Sequence, residues 1–290
     1  MEFVAGSSAL IIDIIACTFA ASPSSNTVTR LGCMDEVPNA PSGPATWFMP
    51  GAGVDSNSGS FITSETSGVK LRHRKAMTVK NLAAYFFNST DPDTVTVHSR
   101  KNGANGNLTC TIGSSNALGQ DTSNSDSIAV GDDYDFSFAG QGNGSPDSGN
   151  MITVDYISTN GDCIFACQNA AGTSFNTSVT QYFGLSGSLV SGQSTETSAQ
   201  VRVNTAFQFS QLTCNVTSNG ITNASTINLR VNSGNAGPTV SITGSTTGIF
   251  NDNTNTSTDA INYQVVTASA GTSMKIAFIA VWGNSTVQVC

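Results

Sequence analysis

Charge is what this chain has least of: Asp, Glu, Lys and Arg make up 10% of its 290 residues, against about 25% in an average globular protein. Solubility therefore has to come from Ser, Thr, Asn and Gly. These are poor in helix interiors, because their side chains compete for the backbone or leave it too free. No 18 apolar residues run together, which excludes a helical membrane span. The net charge of −8 repels phosphate, so nucleic acid is not the expected partner. Histidine and tryptophan are down to two each. There is no G-x-S-x-G elbow, no H-E-x-x-H and no phosphate-binding glycine loop, so the usual catalytic motifs are missing. The seven cysteines are odd in number and show no repeated spacing, which argues against a disulfide framework. Cys163 and Cys167 have three residues between them, not the two of a zinc knuckle, and no His lies close. Buried free thiols in a reducing compartment are expected, with a Cys163–Cys167 loop disulfide as the alternative.

What is present reads as strand. A 38% apolar fraction is enough for packed cores, and abundant Thr, Ser and Gly with little charge is the balance of short strands joined by polar loops. At the N-terminus, SALIIDIIACTFAA is apolar, but Glu2 precedes it, no Lys or Arg does, and Asp13 interrupts it. That pattern fits an uncleaved β arm better than a secretion signal. Its apolar residues Leu10, Ile11, Ile12, Ile14 and Ile15 are candidates for assembly contacts.

Residues 47–160 lie over residues 182–285 as a repeat. WFMPGAG from Trp47 matches YFGLSGS from Tyr182, and SETSGVKLRHRKAMTVKNL from Ser64 matches TETSAQVRVNTAFQFSQL from Thr195. TVHSRKNGANGNLTCTIGSS from Thr96 matches TINLRVNSGNAGPTVSITGS from Thr226, and QDTSN matches NDNTN. MITVDYIS from Met151 and KIAFIAVW from Lys275 close the two copies. The order is kept and the indels fall in polar loops, which points to a duplication. Within each copy the period is two: Ile227, Leu229 and Val231 alternate with Thr226, Asn228 and Arg230, as in half-buried strands. Asn and Gly between such strands supply the positive φ of hairpin turns. The expected architecture is all-β: two tandem, duplicated β-sandwich, jelly-roll-like domains at 47–181 and 182–290, behind an extended arm at 1–46.

The copies differ in their last strand. Ile152, Val154 and Tyr156 match Ile276, Phe278 and Ala280 as the expected core side. The opposite face is Thr153, Asp155 and Ile157 in the first copy but Ala277, Ile279 and Val281 in the second. A strand apolar on both faces must be covered on both. A homo-oligomer contact through Ala277, Ile279 and Val281 is the expected cover, against the arm, the other domain or the sandwich's own loops.

Three other features bear on chemistry. His73 and His98 sit in strand-like stretches and read as solvent-facing. Asp132, Asp133 and Asp135 form an oxygen-rich loop that could hold calcium, without EF-hand spacing; no cofactor is otherwise expected. Lys70, Arg72 and Arg74 project from one face of a strand, either as an anion contact or as a charged edge that blocks pairing. Eight N-x-S/T sequons are no more than this composition produces by accident.

Tandem β modules with turns such as LRVNSGNAGPTVSITGS resemble those of tailed-bacteriophage virion proteins: tail fibres, receptor-binding proteins and head decoration proteins. The resemblance covers the two modules and has no diagnostic motif. It implies a non-enzymatic virion component, assembled as a homo-oligomer, most often a trimer. Other virion proteins would be met through the N-terminal arm, and a host-surface glycan is a candidate ligand. The alternatives are a secreted or cell-surface filament subunit or adhesin polymerising by donated strands, and a jelly-roll lectin or carbohydrate-active protein. Fold-level likeness does not decide among them.

Overall fold

Alternation sets the strands. In Val95–Lys101, Val95 and Val97 are buried while Thr96 and His98 are partly exposed, so one face enters a core and the other meets solvent. The computed structural model describes residues 18–19, 27–34, 45–54, 62–86, 94–113, 118–140, 150–235, 237–254 and 256–285. Among them there is no α-helix, only a 3-10 turn at Glu196–Ser198. Leu10, Ile11, Ile12, Ile14 and Ile15 lie outside the described residues.

The first half is a sandwich. One sheet runs Asp126–Ile128, Met77–Phe86, Asn150–Ser158, Thr27–Met34, and the facing sheet runs Ala45–Pro50, Asp133–Gly140, Val95–Lys101, Ala104–Ile112. The second half runs Asp162–Asn176, Gly271–Ser285, Val201–Ile221, Thr256–Val266, Ser225–Val231, Thr239–Ile242. A two-residue strand, Gly53–Val54, pairs in parallel with both Thr27–Met34 and Asp162–Asn176 and joins the halves. Gly53 has φ +79°, and a Cβ there would lie 2.3 Å from the Gln168 carbonyl oxygen. Only glycine allows this backbone approach.

The duplication is written into the pairings. Asp133–Gly140 lies between Ala45–Pro50 and Val95–Lys101 and also takes Leu71–Arg72. Thr256–Val266 likewise pairs with Thr180–Phe183, with Ser225–Val231 and with the start of Val201–Ile221. Asn150–Ser158 lies between Thr27–Met34 and Met77–Phe86, as Gly271–Ser285 lies between Asp162–Asn176 and Val201–Ile221. Side chains repeat too. Arg100 bonds Glu65 and Asn105, and Arg230 bonds Glu196 and Asn235. The hairpin residues Asn102 and Asn232 take φ of 53° and 49°. Asp121 accepts the Thr109 amide as Asp252 accepts that of Thr239. Because the Arg–Glu pair closes each module's turn at about 12–16% side-chain exposure, Glu196→Gln is expected to cost roughly 1–3 kcal/mol, read as a lower urea midpoint.

Two expectations change. Thr27–Met34, counted with the arm, is paired on both edges inside the first sheet, and Arg30 holds Asp155 through two bonds of 2.6 and 2.8 Å. Asp162–Asn176, counted with the first copy, is hydrogen-bonded into the second.

The last strand also departs from its expected role. Ala277, Ile279 and Val281 are fully buried by the chain itself, so they form no subunit contact surface. Pairing along Gly271–Ser285 skips a residue between Ile276 and Phe278. Such a bulge makes Ala277 the extra residue and swaps the faces beyond it. Ile276, Ile279 and Val281 therefore enter the second core, while Phe278, Ala280 and Trp282 enter the first. Ile164 and Ala166 of the neighbouring strand also face the first core. One strand pair thus serves both cores, and the cover on its second face is the other half of the chain. Polar stitches complete the junction. Gln168 donates to the carbonyls of Gly68 and Val69, and Asn215 donates to that of Ser67.

The described cysteines Cys33, Cys110, Cys163, Cys167 and Cys214 are all buried. Burial pushes the Cys110 thiol up to about 12 and that of Cys163 to about 11. All five are expected to resist alkylation in the native protein; modification of any of them, located by peptide mapping, would contradict this packing.

Candidate functional site

The basic stripe lies at the junction of the two halves. Alternation holds through it: Val69, Leu71 and His73 are buried, while Lys70, Arg72 and Arg74 are only partly so. Each cation already has company. Arg72 donates from Nε and Nη2 to the two carboxylate oxygens of Asp133, at 2.5 and 2.8 Å. That bond raises the Arg72 pKa further. Lys70 Nζ stands 3.5 Å from Glu65, which also accepts from Arg100 at 2.6 Å. Arg74 reaches Asn253 of the second half at 3.4 Å. Leu71–Arg72 pairs with Asp133–Gly140 on one side, and no pairing among the described residues takes its other side.

Beside Lys70 and Arg72 opens a crevice of ≈ 220 Å³. Its first wall is Ser67, Lys70, Arg72 and Asp133, and its second is Asn215, Val216 and Thr217 with Thr247, Gly248 and Ile249. The sequence offers Lys70 and Arg72 as an anion contact and Asp133 as a calcium ligand, but not as one site. The others come from three separated segments, and nothing local marks them as neighbours.

The three aspartates do not converge. Asp132 accepts from the Ala129 amide and Asn102 Nδ2 in a turn. Burial alone would raise its pKa, but these bonds and Lys101 outweigh it and leave the group below its usual range. Asp133 belongs to Arg72. Asp135 is fully buried, and neither carboxylate oxygen has a hydrogen-bond partner among the described residues. Burial first, and then Glu65, push it up to about 8, against the pull of Lys70 and Arg100. The matching position in the second module is Asn262, since Asp135 pairs with Arg100 as Asn262 pairs with Arg230. Among the described residues no group of three His, Cys, Asp or Glu side chains gathers as metal ligands would.

His73 is fully buried instead of solvent-facing. Its ring stacks on Tyr156 at 5.3 Å and meets Trp282 edge-on at 6.1 Å. Neither ring nitrogen is bonded among the described residues, and desolvation lowers its pKa to about 4. It acts as a flat apolar filler between the cores. His98 remains half-exposed on its strand.

No family model matches the sequence, and no curated protein does. Among solved structures, that of the infectious bursal disease virus Gx strain is 11% identical with a TM-score of 0.28, covering 97% of this chain and 75% of that one. The PBSX exported protein XepA is 10% identical with a TM-score of 0.21, covering 83% and 94%. A Paenibacillus xanthan lyase is 14% identical with a TM-score of 0.23, covering 95% and 25%. Likeness this slight establishes neither family nor shared function, and the chain's own geometry has to carry the reading.

Proposed function

We propose that the protein is a non-enzymatic structural component of a virion. It assembles as a homo-oligomer, a trimer by preference, and presents its sandwiches for attachment. The observation that supports this is the fusion of two modules through one doubly buried strand pair. A junction of that kind makes a stiff body with no hinge for a catalytic cleft. The charged groups near the junction are tied to one another, as Arg72–Asp133 and Arg100–Glu65 illustrate, instead of being aimed at a reacting atom. Assembly is assigned to the N-terminal arm, with its boundary drawn back to residues before Thr27.

Light scattering on the full chain is expected to give a homo-oligomer; a stable monomer would overturn the reading. Removing residues 1–16, which include Leu10, Ile11, Ile12, Ile14 and Ile15, is expected to abolish assembly with an unchanged far-UV spectrum. A deletion reaching residue 46 would remove Thr27–Met34 from the first sheet, and would test folding instead of assembly.

A further inference from the structure

We propose that the crevice between the two sandwiches binds one acidic sugar ring, a pyranose bearing a carboxylate, as the attachment subsite of the protein. This rests on the attachment reading above and names its ligand class. Three observations lead to it.

The first is the division of the walls. Val216 is buried and Ile249 packs against the first core, so together with Gly248 they offer a small apolar patch. Around it stand donors: the Lys70 ammonium, the Arg72 guanidinium and the exposed hydroxyls of Ser67, Thr217 and Thr247. A sugar ring has this pairing of surfaces, a C–H face and a rim of hydroxyls, and ligand sites combine an apolar lining with a few placed polar groups.

The second is charge. Lys70, Arg72 and Arg100 meet Glu65 and Asp133, and Asp135 beside them is held neutral by burial up to about pH 8. A single positive charge is left over in a chain of net charge −8. Arg72 spends Nε and Nη2 on Asp133, which fixes its plane and leaves Nη1 for an incoming carboxylate.

The third is the comparison between modules. Leu71–Arg72 pairs with Asp133 and Tyr134 as Val201 and Arg202 pair with Ile261 and Ala260. The second module therefore has Gln200 in place of Lys70 and Ala260 in place of Asp133. Arg72 has its counterpart in Arg202, so the fold keeps that arginine but does not require Lys70 or Asp133, and only the junction carries those two.

The volume, ≈ 220 Å³, is below the ~300 Å³ at which pockets for drug-sized ligands begin, so one ring fits and a longer chain must project outward. Among the described residues no aromatic platform lines it, and a dissociation constant on the order of 1 mM is expected for a single site. An oligomer would multiply that weak affinity by avidity.

The test is titration of the full chain with sodium glucuronate by ligand-observed NMR, against glucose and acetate at equal ionic strength. Glucuronate is expected to saturate in the millimolar range, glucose to bind about tenfold more weakly, and acetate not to saturate. Thr247→Trp fills the crevice from an exposed position, and Lys70→Gln copies the second module. Both are expected to fold normally and to lose binding. No saturation by glucuronate, equal binding of acetate, or binding unchanged in Thr247→Trp would each overturn the proposal. A glucuronate-terminated oligosaccharide is expected to bind like the free acid. If it is excluded while the free acid binds, the source is a soluble acid sugar and not a glycan end. Light scattering on the same samples separates the two claims. An intact oligomer without sugar binding overturns this inference alone, and a monomer that binds sugar overturns the assembly reading alone.

Discussion

Replacing Trp282 with alanine is expected to cost about 3–5 kcal/mol and to weaken both halves together. The ring sits on a strand of the second sheet yet is fully buried in the first core, edge-on to His73. Removing it leaves a void that neither sheet can close alone, because the same strand carries Val281 into the second core. Total stability of a domain is only about 5–15 kcal/mol, so the loss is a large fraction of it. The variant also supplies its own reporter. Trp47, in the first core, becomes the one remaining tryptophan, and its emission follows the first half while far-UV circular dichroism follows both. The two signals are expected to move to lower urea in step. If Trp47 reports an unshifted first half, the shared strand pair does not couple the cores.

Asp135→Asn is expected to stabilise the protein, by an amount that grows with pH. The unfolded carboxyl titrates near its model value of 3.8 and the folded one at about 8. Between those values the native state keeps a proton that the unfolded state has released. Stability from this group is therefore complete below the unfolded value and is lost as pH rises to the folded one, at about 1.4 kcal/mol per unit. His73 has the opposite sign. Its folded value of about 4 lies below the ordinary 6.5, so its contribution is present above 6.5 and is lost as pH falls towards 4. The two slopes nearly cancel between pH 4 and 6.5, and only the Asp135 slope remains from there to 8. The wild type is expected to show a plateau in acid and a decline from about pH 6.5 to 8. The asparagine variant should lose the decline and reveal the acid sensitivity of His73, gaining a few kcal/mol over the wild type at pH 8 and little near pH 4. Asn262 already occupies the equivalent place in the second module, which shows that the site accepts the neutral isostere. Urea midpoints of both proteins at pH 4.5, 6 and 8 check this; a difference that stays flat with pH would contradict it.

Much of the fold was legible because its rules are local. Period-two alternation located the strands, and the Asn-rich hairpins located their turns at Asn102 and Asn232. Overlaying the copies placed Glu65 on Glu196 before either was seen to bond its arginine. What was not legible depends on long-range placement. The doubly apolar strand required a second cover but could not say whose, and the bulge at Ala277 reverses its faces without any residue that signals it. TVTRLGCM alternates like a strand, yet its membership of the first sheet rests on pairing with Asn150–Ser158, far along the chain. His73 looked like its charged neighbours, and only the meeting of Tyr156 and Trp282 across the junction makes it core. The crevice was half visible, since its cations lie on one strand while Asn215, Thr217 and Thr247 come from the other module.

Differential scanning calorimetry of the intact chain tests the central claim, that one strand pair fuses two repeats into a single body. The fusion predicts one transition whose van't Hoff and calorimetric enthalpies agree. Two resolved transitions, or a calorimetric enthalpy about twice the van't Hoff value, would mean that the modules unfold independently, and would contradict it.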